Sequence, residues 1–177
     1  NQGILNENTV VSTVMSNIAF EQFLAKNGIN LVRTGVGDRL VANEMRKLRA
    51  NLGGEQSGHI ILSDYATTGD GIVAALQVLS YLITSDQPAS SILDLYKSAP
   101  QVLKNVRFKK NPLTEKSVAI DAKINEVEDS LDGSGRLLIR KSGTEPLIRL
   151  MAEGEDEGQL NVLIDSIIET MDKEKYL

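Results

Sequence analysis

The chain has 177 residues, of which 41% are hydrophobic and 24% charged, with a formal net charge of -5 and no cysteine. That balance is of a globular protein with one full core or two modest ones. It excludes a polybasic nucleic-acid binder, a disulfide framework and a thiolate metal site, and it fits a reducing, cytoplasmic setting. The longest apolar run, Ile72 to Ile83, is broken by Gln77, Ser80 and Tyr81 and falls short of the roughly 20 residues that cross a bilayer, so no membrane partner is expected.

Asn1-Gln-Gly-Ile-Leu-Asn-Glu7 has neither the basic nor the apolar stretch of a leader and does not begin with methionine, which reads as a cut within a longer chain. Thr9 to Val14, rich in β-branched residues, predicts a strand. Ser16 or Asn17 then caps a helix carrying Ile18, Phe20, Phe23 and Leu24, closed by Asn27-Gly28. A second strand follows at Asn30 to Arg33. Val41, Met45, Leu48 and Leu52 recur at four-three-four spacing and predict a helix after Asp38 that ends before Gly53-Gly54. His59 to Ser63 predicts a third strand, Asp70 the cap of a helix holding Ile72, Val73, Leu76, Leu79 and Ile83, and Ser91 with Asp94 a short helix through Tyr96. The order is β-α-β-α-β-α, an α/β unit with a mainly parallel sheet.

Around Ser98-Ala-Pro100 the pattern changes. A strand at Val102 to Phe108 is followed by a helix with Ile120, Ile124, Val127 and Leu131, an Asp132-Gly133 turn, a strand at Arg136 to Arg140 and another beyond it. Leu160, Leu163, Ile164, Ile167, Ile168 and Met171 then mark one face of a final helix. This order suits a small α+β domain, so the expected domains are residues 1–100 and 101–177.

Four strings are candidates for chemistry. Arg140-Lys-Ser-Gly-Thr-Glu-Pro146 joins two strands and offers a cation, two hydroxyls and an unencumbered glycine backbone, the parts of an oxyanion cradle. Arg149, between Ile148 and Leu150, falls on the opposite face from both and can bring a second cation. The same string serves equally as a plain hairpin whose arginines are solvated or paired with Glu145 and Glu153. In Gly53-Gly-Glu-Gln-Ser-Gly-His59, an extended backbone points Glu55, Ser57 and His59 the same way, a set of donors and acceptors that suits sugar hydroxyls; a solvated glycine-rich loop is the alternative. Arg33-Thr-Gly-Val-Gly-Asp-Arg39 sits where a strand gives way to a helix but lacks the third glycine of a dinucleotide fingerprint, and Asp38 has a ready role as an N-cap. Thr67-Thr-Gly-Asp-Gly71 has one carboxylate, too few for Mg²⁺ or Ca²⁺, and reads as a helix cap.

Taken in order, Thr34-Gly-Val-Gly-Asp-Arg39, Gly54-Glu-Gln-Ser-Gly-His59, Thr67-Thr-Gly-Asp-Gly71 and Arg140-Lys-Ser-Gly-Thr-Glu-Pro-Leu-Ile-Arg149 resemble the α-D-phosphohexomutases, and within them the bacterial phosphoglucosamine mutase branch. The resemblance runs from about residue 9 to the end. It implies the third domain of a phosphohexomutase, a three-layer α/β domain with a mixed, mainly parallel sheet, followed by the small α+β phosphate-binding fourth domain. By the same resemblance Glu55 and Ser57 hold sugar hydroxyls, with His59 beside them in the substrate site, and Gly37, Asp38 and Arg39 form a second loop facing the cleft. Arg140, Ser142, Gly143, Thr144 and Arg149 hold the phosphate that is not reacting. Gly35 departs from relatives that carry a side chain such as lysine there, which leaves no cation at that position.

The family reaction would interconvert glucosamine 6-phosphate and glucosamine 1-phosphate through a bisphosphate intermediate, for amino-sugar nucleotide and cell-wall synthesis. The implied phosphoserine and Mg²⁺ sites belong to N-terminal domains that this chain lacks, so it is expected to bind a hexosamine phosphate and to be inactive alone. Ser98 to Pro100 would lie near a hinge that lets the phosphate loop close. A phosphomannomutase or phosphoglucomutase fragment, and a non-catalytic sugar-phosphate-binding module, are the alternatives.

Overall fold

The computed structural model describes residues 4–115, 117–131, 133–143 and 145–177. Asn1 to Gly3, and Asp132 of the predicted turn, lie outside the described residues. The chain divides into two compact units, Asn1–Ser98 and Ala99–Leu177.

In the first unit β1 (Thr9–Thr13), α1 (Ile18–Lys26), β2 (Asn30–Thr34), α2 (Asp38–Leu48), β3 (Leu52–Gly54), β4 (Ile60–Leu62), α3 (Gly71–Ser85) and α4 (Ala89–Leu93) follow one another. The sheet order is β2-β1-β3-β4, with β1 parallel to both neighbours and β3 antiparallel to β4. Helices lie on both faces. Val11, Val41, Met45, Ala50 and Ile61 form the core beneath α2, while Val10, Leu52 and Ile60 point the other way, toward Phe20 of α1 and Ala74 of α3. Asn17 caps α1 by accepting from the Ala19 N–H at 3.0 Å.

The predicted second helix is shorter than its apolar spacing implied. Arg49 takes a left-handed conformation and ends α2, and Leu52 belongs to the short strand β3, paired with Val10 and Leu62. Packing alone requires glycine at 53: a Cβ on it would stand 2.5 Å from the Met45 sulfur and 2.8 Å from the Val11 carbonyl. The short helix predicted through Tyr96 instead spans Ala89–Leu93, with Asp94 past its end. Proline at 88 presets the backbone just before the first turn, and this moves the helix N-terminal of the Ser91 start.

Helix α3 is apolar on two sides. Ala74, Val78 and Tyr81 turn toward the sheet, and Ile72, Leu76, Leu79 and Ile83, at four-three-four spacing, form an outward stripe that is 51 to 81% exposed.

The second unit contains β5 (Gln101–Arg107), α5 (Val118–Leu131), β6 (Arg136–Lys141), β7 (Leu147–Glu153) and α6 (Glu157–Lys173). Its sheet is antiparallel in the order β5-β7-β6. Helices α5 and α6 cover one face, where Val102, Ile148, Leu150 and Ala152 meet Ile120, Val127, Ile164 and Ile167. Leu160, Ile164, Ile167 and Met171 of α6 are fully buried one turn after another, each stabilising the unit by roughly 2 kcal/mol. Asp156 caps this helix through the Gln159 N–H at 2.7 Å.

Candidate functional site

In the first unit the site is a hairpin between β3 and β4. The Glu55 N–H donates to the His59 carbonyl at 2.8 Å and the Gly58 N–H to the Glu55 carbonyl at 3.1 Å, so the segment is a tight turn and not the extended run assumed from alternation. The turn still gathers the three side chains. His59 Nδ1 lies 3.2 Å from Ser57 Oγ and 3.4 Å from Glu55 Oε2. The Glu55 side chain is only 8% exposed and His59 57%, so imidazole and hydroxyl stand at the surface with the carboxylate behind them.

Glu55 also reaches sideways. Its Oε1 accepts the Gly37 N–H at 2.9 Å, and Gly37 has φ 135°, a conformation that favours glycine. This bond ties the loop after β2 to the loop after β3. Asp38 is not the N-cap foreseen for it: Gly37 takes that place, and Asp38 opens α2, accepting from the Arg39 N–H at 2.7 Å. Arg39 is exposed beside it. In the Thr67 to Gly71 string, Asp70 caps α3 through the N–H groups of Ile72 and Val73, at 2.9 and 3.0 Å.

A cleft of about 390 Å³ opens next to the hairpin, walled by Phe20, Ile60 and Tyr96 and floored by Ser12 and Ser16. The two serine hydroxyls are 2.5 Å apart, and Ser12 donates to the Gly54 carbonyl at 2.7 Å, at the root of the Glu55 turn. Sequence reading missed these serines. The available signal was a buried-strand pattern, Thr9-Val-Val-Ser-Thr13, interrupted by a hydroxyl that must find a partner when buried.

In the second unit Arg140 and Lys141 are strand residues, and the connection to β7 begins only after Lys141, with the Ser142 N–H donating to the Leu147 carbonyl at 2.9 Å. Ser142 is buried and Gly143 exposed; Thr144 lies outside the described residues. The register sets Arg140 of β6 directly opposite Arg149 of β7. Ile148 and Leu150 enter the helix-covered core, so both arginines project from the other face.

Among the described residues neither arginine has the acid partner that the plain-hairpin alternative supplied. Glu153 is fully buried against Arg136 at 2.6 Å, and Glu145 lies 3.9 Å from Arg107. Among the described residues the buried Nε of Arg149 meets no acceptor. Burial, and then the charge of Arg149, hold the Arg140 guanidinium below the usual arginine range. Two half-buried guanidiniums side by side, neither paired with a carboxylate among the described residues, are able to take a multiply charged oxyanion.

Family comparison agrees with both units. Residues 1–99 match the model for phosphoglucomutase/phosphomannomutase, alpha/beta/alpha domain III, and residues 103–170 the model for the C-terminal domain of the same proteins. The chain belongs to the phosphoglucomutase/phosphomannomutase family. It is 56% identical over 171 residues to the phosphoglucosamine mutase of Paramagnetospirillum magneticum, covering 96% of this chain and 38% of that protein. With the phosphoglucosamine mutase of Zymomonas mobilis it shares 55% identity over the same shares of length. The chain thus spans less than two fifths of the curated family members it matches. Among solved structures, N-acetylphosphoglucosamine mutase of Aspergillus fumigatus superposes with a TM-score of 0.76 at 21% identity, over 96% of this chain and 39% of that one, which shows the shared fold.

A further structure of the Aspergillus enzyme holds GlcNAc-6P and magnesium. In the present chain no group of three or more His, Asp or Glu side chains converges among the described residues. The donor set does not fit Mg²⁺, which takes an octahedron of oxygens anchored by carboxylates.

Proposed function

We propose that this chain is the sugar- and phosphate-gripping part of a bacterial, cytoplasmic phosphoglucosamine mutase that interconverts glucosamine 6-phosphate and glucosamine 1-phosphate on the route to peptidoglycan precursors. The observation that carries this is the Arg140–Arg149 pair, set opposite each other with no acid between them among the described residues. In this reading the two guanidiniums, with Ser142, Gly143 and Thr144 at the turn, hold the phosphate that does not react. Their charge offsets its own and fixes one end of the substrate, which is what phosphoryl transfer asks of groups remote from the bond being broken.

Ser57 and His59 meet the sugar hydroxyls at the surface, and Glu55 sets the imidazole from behind while its second oxygen holds Gly37. Asp38 and Arg39 line the neighbouring wall. The phosphoserine and Mg²⁺ come from the N-terminal domains of the longer protein, so the 177-residue chain binds without turnover. Identity of 50% or more to four phosphoglucosamine mutases supports the amino sugar over mannose or glucose as substrate.

Arg140→Ala in the full-length protein tests the reading. Loss of a charged hydrogen bond is expected to weaken sugar-phosphate binding by about 1.5 kcal/mol or more. Unchanged affinity would reduce the hairpin to a turn, and a higher kcat/KM for mannose or glucose phosphates would move the protein to another branch of the family.

A further inference from the structure

The face that presents Arg140 and Arg149 continues across a third strand. Asn105 of β5 is registered opposite Arg149, just as Arg140 is from the other side, so Arg140, Arg149 and Asn105 form one row across β6, β7 and β5. Directly paired residues on antiparallel strands point to the same side. The alternate residues of β5 confirm the direction: Val102 and Val106 pack into the helix-covered core, and Lys104 reaches Asp165 of α6 at 2.8 Å. Asn105 is exposed, and among the described residues its amide has no hydrogen-bond partner. Next along this face, Arg107 is engaged by Glu145.

Neighbours in such a row stand about 5 Å apart, so Asn105 is roughly 10 Å from Arg140 at the backbone. Arg149 stands at the centre of the row, and the long arginine side chains extend further from the sheet than the short amide beside them. The amide meets whatever is attached to the anion. An amide that donates and accepts matches a hydroxyl, which does both, and carries no charge to add to the anion's binding.

We infer that Asn105 is a further substrate contact, taking a hydroxyl of the sugar that carries the phosphate held by Arg140 and Arg149. This rests on the function proposed above. It makes the end of the β5-β7-β6 sheet a reader of the sugar as well as of the phosphate.

Calorimetry on the full-length protein with Asn105→Ala, using D-glucosamine 6-phosphate and inorganic phosphate as separate probes, decides the matter. The expected result is an affinity for the sugar phosphate lowered about three- to tenfold, as for loss of a neutral hydrogen bond, with inorganic phosphate bound as before. Equal loss for both probes would make Asn105 a phosphate ligand and overturn the assignment, as would no loss for either while Arg140→Ala still weakens both. If Arg140→Ala changes neither, the underlying reading fails first. A thermal midpoint for Asn105→Ala matching the parent separates a lost contact from a damaged fold; a matched midpoint is expected for an exposed residue.

Discussion

Arg140 and Arg149 face each other across adjacent antiparallel strands, two like charges in positions where opposite charges stabilise a sheet. The pair costs the free protein a few tenths to about 1 kcal/mol. A bound dianion turns that cost into attraction. Arg140→Gln is therefore expected to raise the thermal midpoint in phosphate-free buffer and to remove most of the further rise that inorganic phosphate gives the parent. Melting scans with and without phosphate check both halves; a lower midpoint without phosphate would show that Arg140 stabilises the unit itself.

Glu55 reaches Gly37 across the two loops, so its carboxylate is a strut as well as a candidate sugar ligand. Glu55→Ala leaves the Gly37 N–H without that acceptor and is expected to cost about 1 kcal/mol, with faster hydrogen exchange at Gly37. Glu55→Gln keeps a carbonyl oxygen there and should keep most of the protection. Equal exchange in parent and alanine variant would show that the loops hold together without the strut.

At Gly53 the space is already taken by Met45, Val11 and Val41. Gly53→Ala has to push the β3 backbone away from α2 and is expected to destabilise the first unit by roughly 1 to 3 kcal/mol. Chemical denaturation measures this, and a neutral result would mean that Met45 swings aside freely.

Elements with a sustained period were legible in the residues alone. The α6 stripe from Leu160 to Met171 and the α5 stripe from Ile120 to Leu131 place their apolar positions on one face, and both faces are buried. Leu52 was misread because its distance from Leu48 fits a helix as well as a turn into a strand; the left-handed Arg49, a residue with no strong bias toward that conformation, made the difference. The Glu55 to His59 side chains come together through a different geometry from the one alternation assumed, since Gly58 closes a hairpin in place of an extended run. For the two arginines, residue type and strand face could be read, but not that they are partners. Register depends on the geometry of the connection between Lys141 and Leu147, which the paired residues do not announce.

The outward stripe of α3 has a practical consequence. Ile72, Leu76, Leu79 and Ile83 present a continuous oily ridge to water, and such ridges find one another as concentration rises. Light scattering of the 177-residue chain should show reversible association, promoted by ammonium sulfate, and Leu79→Lys with Ile83→Lys should abolish it while leaving phosphate binding intact. Monodisperse scattering of the parent at high concentration would show that the ridge is harmless. Otherwise, how much protein is in the tube becomes a variable in every binding measurement made on this chain.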